Sequence, residues 1–185
     1  MENAGTWEPQ ALVRARFVAG DRTLRSRFEE IRAGVLGRKR DPEKLLEDVV
    51  AMREKMRRHL EKGTSKTPDS EGDEVLVSGF DLKHGAGAMV DIEFMVQYAV
   101  LAWTLEYPGL ARWTDKMRIL EELAALGLFT EDEKTILQEA YLAYRSAVHY
   151  QWLGGEMTSF ERLNRYREDV VAIWNSHMTP EHSGI

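Results

Sequence analysis

The residues best suited to chemistry lie in one short stretch, Lys83-His84-Gly85-Ala86-Gly87, and in the two acidic residues that follow it. Gly85 and Gly87 permit a close approach of the backbone to a bound group, which other residues resist. Amide groups at the start of a helix can hold an anion, and Lys83 would add a positive charge. The stretch is neither a P-loop nor a dinucleotide-binding fingerprint, because no strand and crossover unit precedes it. Two interpretations stay open: an anion cradle and a tight entry into a crowded helix.

Asp91 and Glu93 are the two acidic residues of this region. Residues two apart on a helix point about 200° away from each other, so these carboxylates are not expected to chelate one metal ion. Burying a carboxylate is unfavourable unless it finds a partner, so we expect arginines beside them. The candidate cationic partners lie in the first and third predicted helices: Arg14, Arg16, Arg53 and Arg57. The acids form either an ion-pair network that fixes helix positions or a polar patch that faces a ligand or another module.

The histidines and serines add no further site. The five histidines never fall three or four residues apart, and no serine lies in a nucleophile elbow. We therefore expect no metal site in this chain.

The element that carries the two acids is an apolar helix predicted over residues 88–106. Only four residues between Met89 and Leu105 are polar. A helix that is apolar on nearly every side must be surrounded by other elements. Its longest uninterrupted apolar run, Tyr98–Trp103, is far shorter than the about 20 residues that a bilayer requires. We expect it to be the central helix of a soluble bundle.

Capping residues and apolar residues at helical spacing predict six further helices. The predicted helices begin at Glu8, Asp21, Asp41, Thr114, Thr130 and Ser159 and end near Ala19, Leu36, Lys62, Ala125, Leu153 and His177. The stripe Leu24, Phe28, Ile31 and Val35 is predicted to be the buried face of the second helix. Residues 63–79 are rich in glycine and small polar residues, which predicts one long irregular loop with a short strand at Val75–Val77. The predicted fold class is all-α, a bundle of about seven helices around the apolar helix.

Charge is distributed unevenly along the chain. Residues 1–67 carry 16 Lys and Arg against 11 Asp and Glu, whereas residues 68–185 carry 9 against 20. We expect one domain overall, with these parts: basic helices over 1–62, a flexible loop over 63–79, the bundle core over 80–178 and a disordered tail over 179–185. The absence of cysteine excludes disulfides and thiolate metal sites and fits a reducing compartment. We expect a cytoplasmic protein that binds neither nucleic acid nor membranes.

The stretch FDLKHGAGAMVDIEF at Phe80–Phe94, followed by MVQYAVLAW, resembles a known signature. Its form is D-[LI]-K-x-G-x-G-G-[IV]-x-D-I-E-F-x-x-Q-Y, and it marks the bifunctional glutamine synthetase adenylyltransferase/adenylyl-removing enzymes. Ala88 and Met89 stand where the family usually has glycine and isoleucine. Three more stretches are similar to the C-terminal half of the same family: TWEPQALVRAR at Thr6–Arg16, MREKMRRHL at Met52–Leu60 and LARWTDKMRIL at Leu110–Leu120.

The resemblance implies a role in bacterial nitrogen regulation. Enzymes of this family move AMP from ATP onto a tyrosine of glutamine synthetase and remove it by phosphorolysis. Each half pairs a nucleotidyltransferase module with a helical module, and the nucleotidyltransferase module carries a Gly-Ser followed by an Asp-x-Asp pair that holds Mg²⁺. By resemblance, this chain is the helical module after the C-terminal, adenylylating catalytic module. It then contains no catalytic residue, and alone it is expected to transfer no AMP.

The resemblance also implies cofactors and partners. ATP and Mg²⁺ serve the intact enzyme, and neither is expected to bind this chain by itself. The implied partners are the enzyme's own catalytic module, glutamine synthetase, the PII signal protein and glutamine as effector. The residues expected to face the catalytic module or the nucleotide are Lys83, Gly85, Gly87, Asp91 and Glu93. The alternatives are a regulatory module that binds PII or glutamine without a direct role in the active site, and a structural bundle whose acids are only ion-paired.

Overall fold

A computed structural model describes residues 7–63, 76–77, 80–153 and 160–179 of the chain. The described residues form seven α-helices, which confirms the predicted all-α class. The helices are α1 (Trp7–Arg14), α2 (Arg22–Leu36), α3 (Pro42–Gly63), α4 (Met89–Trp103), α5 (Lys116–Ala125), α6 (Glu131–Trp152) and α7 (Phe160–His177). A 3-10 helix, Pro108–Arg112, precedes α5. No helix in the described part of the chain is both long and apolar enough to cross a bilayer.

Aspartates begin several helices because a carboxylate can accept the N–H groups that the first turn leaves unpaired. The Asp21 carboxylate accepts the backbone N–H of Thr23 at 2.7 Å, as its position before α2 predicts. Asp41 accepts a backbone N–H three residues later at 3.0 Å. The cap of α5 is Asp115 and not Thr114, which corrects the prediction by one residue. Ser159, where the last helix is predicted to begin, lies outside the described residues.

A short hairpin precedes α4. Strand β1 (Leu76–Val77) pairs antiparallel with β2 (Phe80–Asp81). The sequence predicted the first strand without a partner. The sequence does not reveal the partner because β2 is only two residues long, too short for an alternating pattern, and lies just before the glycine-bearing stretch.

The chain divides into two compact units that alternate along the sequence. Unit 1 comprises Met1–Val49 and Val96–Thr130, and unit 2 comprises Val50–Met95 and Glu131–Ile185. The boundaries between the units therefore fall inside α3 and inside α4. No residue of α4 is exposed, as its apolar sequence predicts, although the helix ends at Trp103, three residues before the predicted end.

In unit 1 the predicted buried face of α2 is wrong. Leu24 is 60% exposed and Ile31 is 57% exposed, and the helix instead buries Arg32 and Leu36. The reason lies in α1, which ends at Arg14 and leaves the carbonyl groups of its last turn without helical partners. Arg32 donates to carbonyls of that turn, and this contact orients α2 with its charged residue inward.

In unit 2, α6 and α7 pack together, and each helix buries one stripe of residues at helical spacing. The buried residues of these stripes are Leu137, Ala140, Tyr144 and Ala147 on α6 and Leu163, Tyr166, Val170 and Ile173 on α7. Helix α7 extends to His177, near its predicted end, and the side chain of Met178 is buried. The predicted tail lies outside the described residues after Thr179.

Candidate functional site

The stretch between β2 and α4 is a tight turn organised by Asp81. The Asp81 carboxylate accepts the backbone N–H of Lys83 at 2.8 Å and that of His84 at 2.9 Å. Its carbonyl oxygen accepts the N–H of Gly85 at 2.9 Å. A short side chain that accepts backbone N–H groups a few residues ahead is typical of turns. These bonds fix the path of the chain into α4.

Both glycines of the turn are required by close packing against the protein itself. A Cβ atom at Gly85 would lie 2.6 Å from the carbonyl oxygen of Asp81. Gly87 has a φ of +80°, and a Cβ there would lie 2.5 Å from the carbonyl oxygen of Arg167 on α7. Protein atoms therefore occupy the space that these glycines leave. The packing favours a tight helix entry over an anion cradle.

Asp91 lies at the centre of the site and is 2% exposed. Its Oδ2 accepts the N–H of Gly87 at 2.7 Å, and its Oδ1 accepts Nε–H of Arg53 at 2.6 Å. Arg57 donates from Nη2 to both oxygens at 3.3 Å. One carboxylate thus joins α3, the glycine turn and the first turn of α4.

Arg53 is completely buried, and several acceptors share its guanidinium. Besides Asp91, it donates from Nη2 to the carbonyl of His84 at 2.7 Å, and its guanidinium lies 6.0 Å from the ring centre of Phe94. Burial lowers the pKa of Arg53, and the charge of Asp91 opposes that shift. Among the described residues, Nη1 of Arg53 and Nε of Arg57 are buried without a hydrogen-bond partner. The ion pair of Arg53 and Asp91 therefore makes several hydrogen bonds, but not every buried guanidinium nitrogen around it has a hydrogen-bond partner.

The four predicted cationic partners have different positions. Arg53 and Arg57 contact Asp91, whereas Arg14 and Arg16 belong to unit 1, where both side chains are exposed. The sequence could not separate the two pairs, because all four arginines lie on or beside amphipathic helices.

Glu93 lies on a different side of α4 from Asp91, consistent with the two-residue spacing. It is half-buried, and its Oε1 accepts the hydroxyl hydrogen of Tyr141 on α6 at 3.2 Å. Lys83 is also half-buried. In the part of the chain that the structure describes, no three His, Asp or Glu side chains are grouped as a metal site would require.

Sequence reasoning missed Arg167, which holds the turn from the side of α7. Its Nε donates to the carbonyl of Ala86 at 3.3 Å, and its guanidinium lies 4.7 Å from the ring centre of Phe80. No local pattern predicts this contact, since the residues are about 80 positions apart. The burial of Arg53 did leave a signal, because it follows Val49 by one helical turn within the apolar stripe of α3.

Comparisons with known proteins agree with the signature in this turn. The model of the GlnD PII-uridylyltransferase family matches residues 50–153. A bifunctional glutamine synthetase adenylyltransferase/adenylyl-removing enzyme from Pseudomonas aeruginosa is 48% identical over 177 residues, which cover 94% of this chain and 18% of that protein. The enzyme of the same name from Nitrosococcus oceani is 42% identical over 181 residues, or 96% of this chain and 17% of the relative. The chain thus spans less than a fifth of the length of these relatives. It belongs to the family of bifunctional glutamine synthetase adenylyltransferase/adenylyl-removing enzymes.

Proposed function

We propose that this chain is the helical module that supports ATP-dependent transfer of AMP to a tyrosine of glutamine synthetase, after the C-terminal nucleotidyltransferase module of a longer enzyme. The observation that carries the proposal is similarity along 94% of the chain to an enzyme named for this activity, of which the chain spans only 18%. The module would position the catalytic module and its substrate without performing the transfer itself.

The division of labour is supported by what the sequence lacks. The 185 residues contain no Gly-Ser dipeptide and no Asp-x-Asp triplet, the elements that the resemblance assigns to the catalytic module. The nearest equivalent, Asp91-Ile92-Glu93, lies on α4, and its two acids contact different elements. ATP and Mg²⁺ are therefore proposed to bind the catalytic module of the intact enzyme.

One end of the module is proposed to face the catalytic module. This end is formed by Lys83, Gly85, Gly87, Asp91 and Glu93. Asp91 is too buried to contact another module directly. It would act as a positioning residue, through the glycine turn that it holds by the N–H of Gly87. The half-buried side chains of Lys83 and Glu93 would make the direct contacts.

The first experiment tests the division of labour. The isolated chain is incubated with glutamine synthetase, Mg²⁺ and radiolabelled ATP, and the label on glutamine synthetase is measured. The expected result is no incorporation of AMP above the protein-free control. Incorporation by the isolated chain would refute the proposal that catalysis lies elsewhere.

The second experiment tests the facing residues in a hybrid enzyme, defined as the full-length Pseudomonas aeruginosa relative with its matching region replaced by this chain. Glu93→Gln and Lys83→Gln are expected to lower adenylylation by about tenfold, which corresponds to one lost contact in the assembled enzyme, and to lower activity more than they lower stability. Glu161→Gln, at an exposed position of α7, serves as the control with no expected change. Full activity of the Lys83 and Glu93 variants would contradict the assignment of this end.

One observation favours a second candidate, a regulatory module. The family model that matches residues 50–153 is that of a PII-uridylyltransferase, whose name states that it acts on PII. Titration calorimetry of the isolated chain with PII, and separately with glutamine, distinguishes the two. Saturable binding of either to the isolated chain, together with normal activity of the Glu93→Gln hybrid, would favour the regulatory function.

A further inference from the structure

Helix α2 presents its apolar stripe outward. Leu24, Phe28, Ile31 and Val35 follow the spacing of a core-facing stripe, here called the α2 stripe. Leu24 and Ile31 are exposed, Phe28 and Val35 are half-buried, and the charged Arg32 occupies the interior in their place. A single exposed leucine is ordinary on a protein surface, whereas apolar residues grouped on one helix face can serve as a contact surface.

The surroundings of the stripe leave room for a partner. Leu24 and Ile31 are two helical turns apart, which separates them by about 10 Å along the helix. Val18, in the segment before α2, is also exposed. Gly34, one turn after Ile31, is exposed, and a Cβ atom there would meet no atom within 4 Å. The helix surface at Ile31 and Gly34 is therefore accessible.

Charge narrows the chemistry of the partner. Residues 14–28 include five arginines and one acidic residue, and Glu29 and Glu30 follow them on α2, so the excess of positive charge lies at the N-terminal part of the helix and in the segment before it. Three of these arginines, Arg22, Arg25 and Arg27, are exposed on α2 itself. Complementarity of charge at interfaces favours a partner whose apolar centre has an acidic margin.

We propose that the α2 stripe is a docking surface for another module of the longer enzyme chain, which contacts it through an apolar patch with acidic neighbours. The chain spans 18% of the Pseudomonas aeruginosa relative, so most of that enzyme's sequence lies outside the matched region and could supply the partner. Contacts between modules of one chain commonly join partly apolar surfaces of moderate size. The inference rests on the proposed function, because it takes the chain to be one module of a longer enzyme. The stripe lies in unit 1 and the Lys83–Glu93 end lies in unit 2, so variants of the stripe and variants of that end test the two proposals separately.

Cysteine labelling tests the inference, since the chain has no natural cysteine. Ile31→Cys and, separately, Leu24→Cys are prepared in the isolated chain and in the hybrid enzyme, and the labelling rate with a water-soluble maleimide is measured by peptide mass spectrometry. The matched control is Leu142→Cys, at an exposed apolar position on α6. At positions 31 and 24, labelling in the hybrid is expected to be at least about tenfold slower than in the isolated chain, because burial protects a side chain from reagent. At position 142 the two rates are expected to agree.

Three outcomes would overturn the inference. Equal labelling of positions 24 and 31 in the hybrid and the isolated chain would show an uncovered stripe. Slow labelling in the isolated chain that becomes fast on dilution would identify a second copy of the chain as the occupant. Equal slowing at position 142 would show general occlusion. If the hybrid does not fold, hydrogen exchange is measured at the matching helix of the unaltered relative. Fast exchange at that helix would overturn the inference.

Discussion

Each unit of the molecule buries one arginine, and the two arginines are held in different ways. Arg32 in unit 1 is 1% exposed and donates to four backbone carbonyls. The carbonyls belong to Leu12, Val13, Ala111 and Trp113. Arg53 in unit 2 is 0% exposed and is held mainly by the carboxylate of Asp91. Burial lowers the pKa of both guanidinium groups.

The difference decides what each arginine can do. Among the described residues, the carboxylate nearest to Arg32 is that of Glu29, which lies 3.8 Å from Nη1 and is 43% exposed, so no second charge is buried with this arginine. Backbone carbonyl dipoles therefore stabilise most of the buried cation, and Arg32 joins α1 to the segment around the 3-10 helix by hydrogen bonds. An ion pair buries two charges, and loss of either leaves the other uncompensated. Asp91 also holds the N–H of Gly87, so the ion pair in unit 2 fixes the glycine turn that carries the family signature.

Removal of Asp91 should have the largest effect. Asp91→Ala leaves Arg53 buried without its carboxylate, and the free energy of unfolding is expected to fall by about 3–5 kcal/mol, as for other broken buried pairs. Urea denaturation of the isolated chain measures the loss. Asp132→Ala, at an exposed position in the first turn of α6, is the control with a much smaller expected effect. A loss below about 1 kcal/mol at position 91, the range of exposed ion pairs, would mean that the pair contributes little.

Replacement of Arg32 should have the next largest effect. Arg32→Met removes the donors of the carbonyl contacts but keeps an apolar stem, and a loss of about 2–3 kcal/mol is expected from the missing charged hydrogen bonds. Arg32→Lys should recover little of the lost stability, because an ammonium group cannot reproduce the planar arrangement of N–H donors in a guanidinium group. Urea denaturation of both variants checks this. Full recovery by lysine would show that charge, and not geometry, matters at this position.

A side chain at Gly87 should have a moderate effect. Gly87→Ala forces an L-residue into a positive φ and places a Cβ against the backbone of Arg167, so a loss of about 1–3 kcal/mol is expected. The melting temperature of the isolated chain should fall accordingly. An unchanged melting temperature would show that the turn rearranges at little cost.

The smallest change should have the opposite sign. Gly34 lies inside α2 in open space, so Gly34→Ala is expected to stabilise unit 1 by about 0.5–1 kcal/mol through the helix propensity of alanine. Thermal unfolding measures the gain. Destabilisation at this position would contradict the exposed, regular helix face described for α2.

Local chemistry made part of the fold predictable. Asp21 and Asp41 begin helices because their carboxylates accept N–H groups within three residues, and such contacts are visible in a sequence. The burial of α4 was also predictable, because a helix that is apolar on nearly every side must be surrounded by other elements. The two open interpretations of Gly85 and Gly87 could not be separated, because the decisive neighbour of Gly87 is Arg167, about 80 residues away.

Buried arginines were the main source of error. A periodicity argument treats arginine as outward-facing, so the stripe of Leu24 and Ile31 was assigned to the interior in place of Arg32. The acceptors of Arg32 include carbonyls about 80 residues away, and a backbone carbonyl leaves no mark in a sequence. Asp91 is recognisable in the sequence, because an acidic residue on an apolar helix predicts a cationic partner. For that reason Arg53 was among the predicted partners.

The central claim is that the ion pair of Asp91 and Arg53 holds the signature turn. A double-mutant cycle on these two residues tests the claim most directly. Asp91→Ala, Arg53→Met and the double variant are compared by urea denaturation of the isolated chain. A coupling free energy of about 2 kcal/mol or more is predicted, within the range of residues that interact in one network. Additivity within about 0.5 kcal/mol, as for independent sites, would contradict the account.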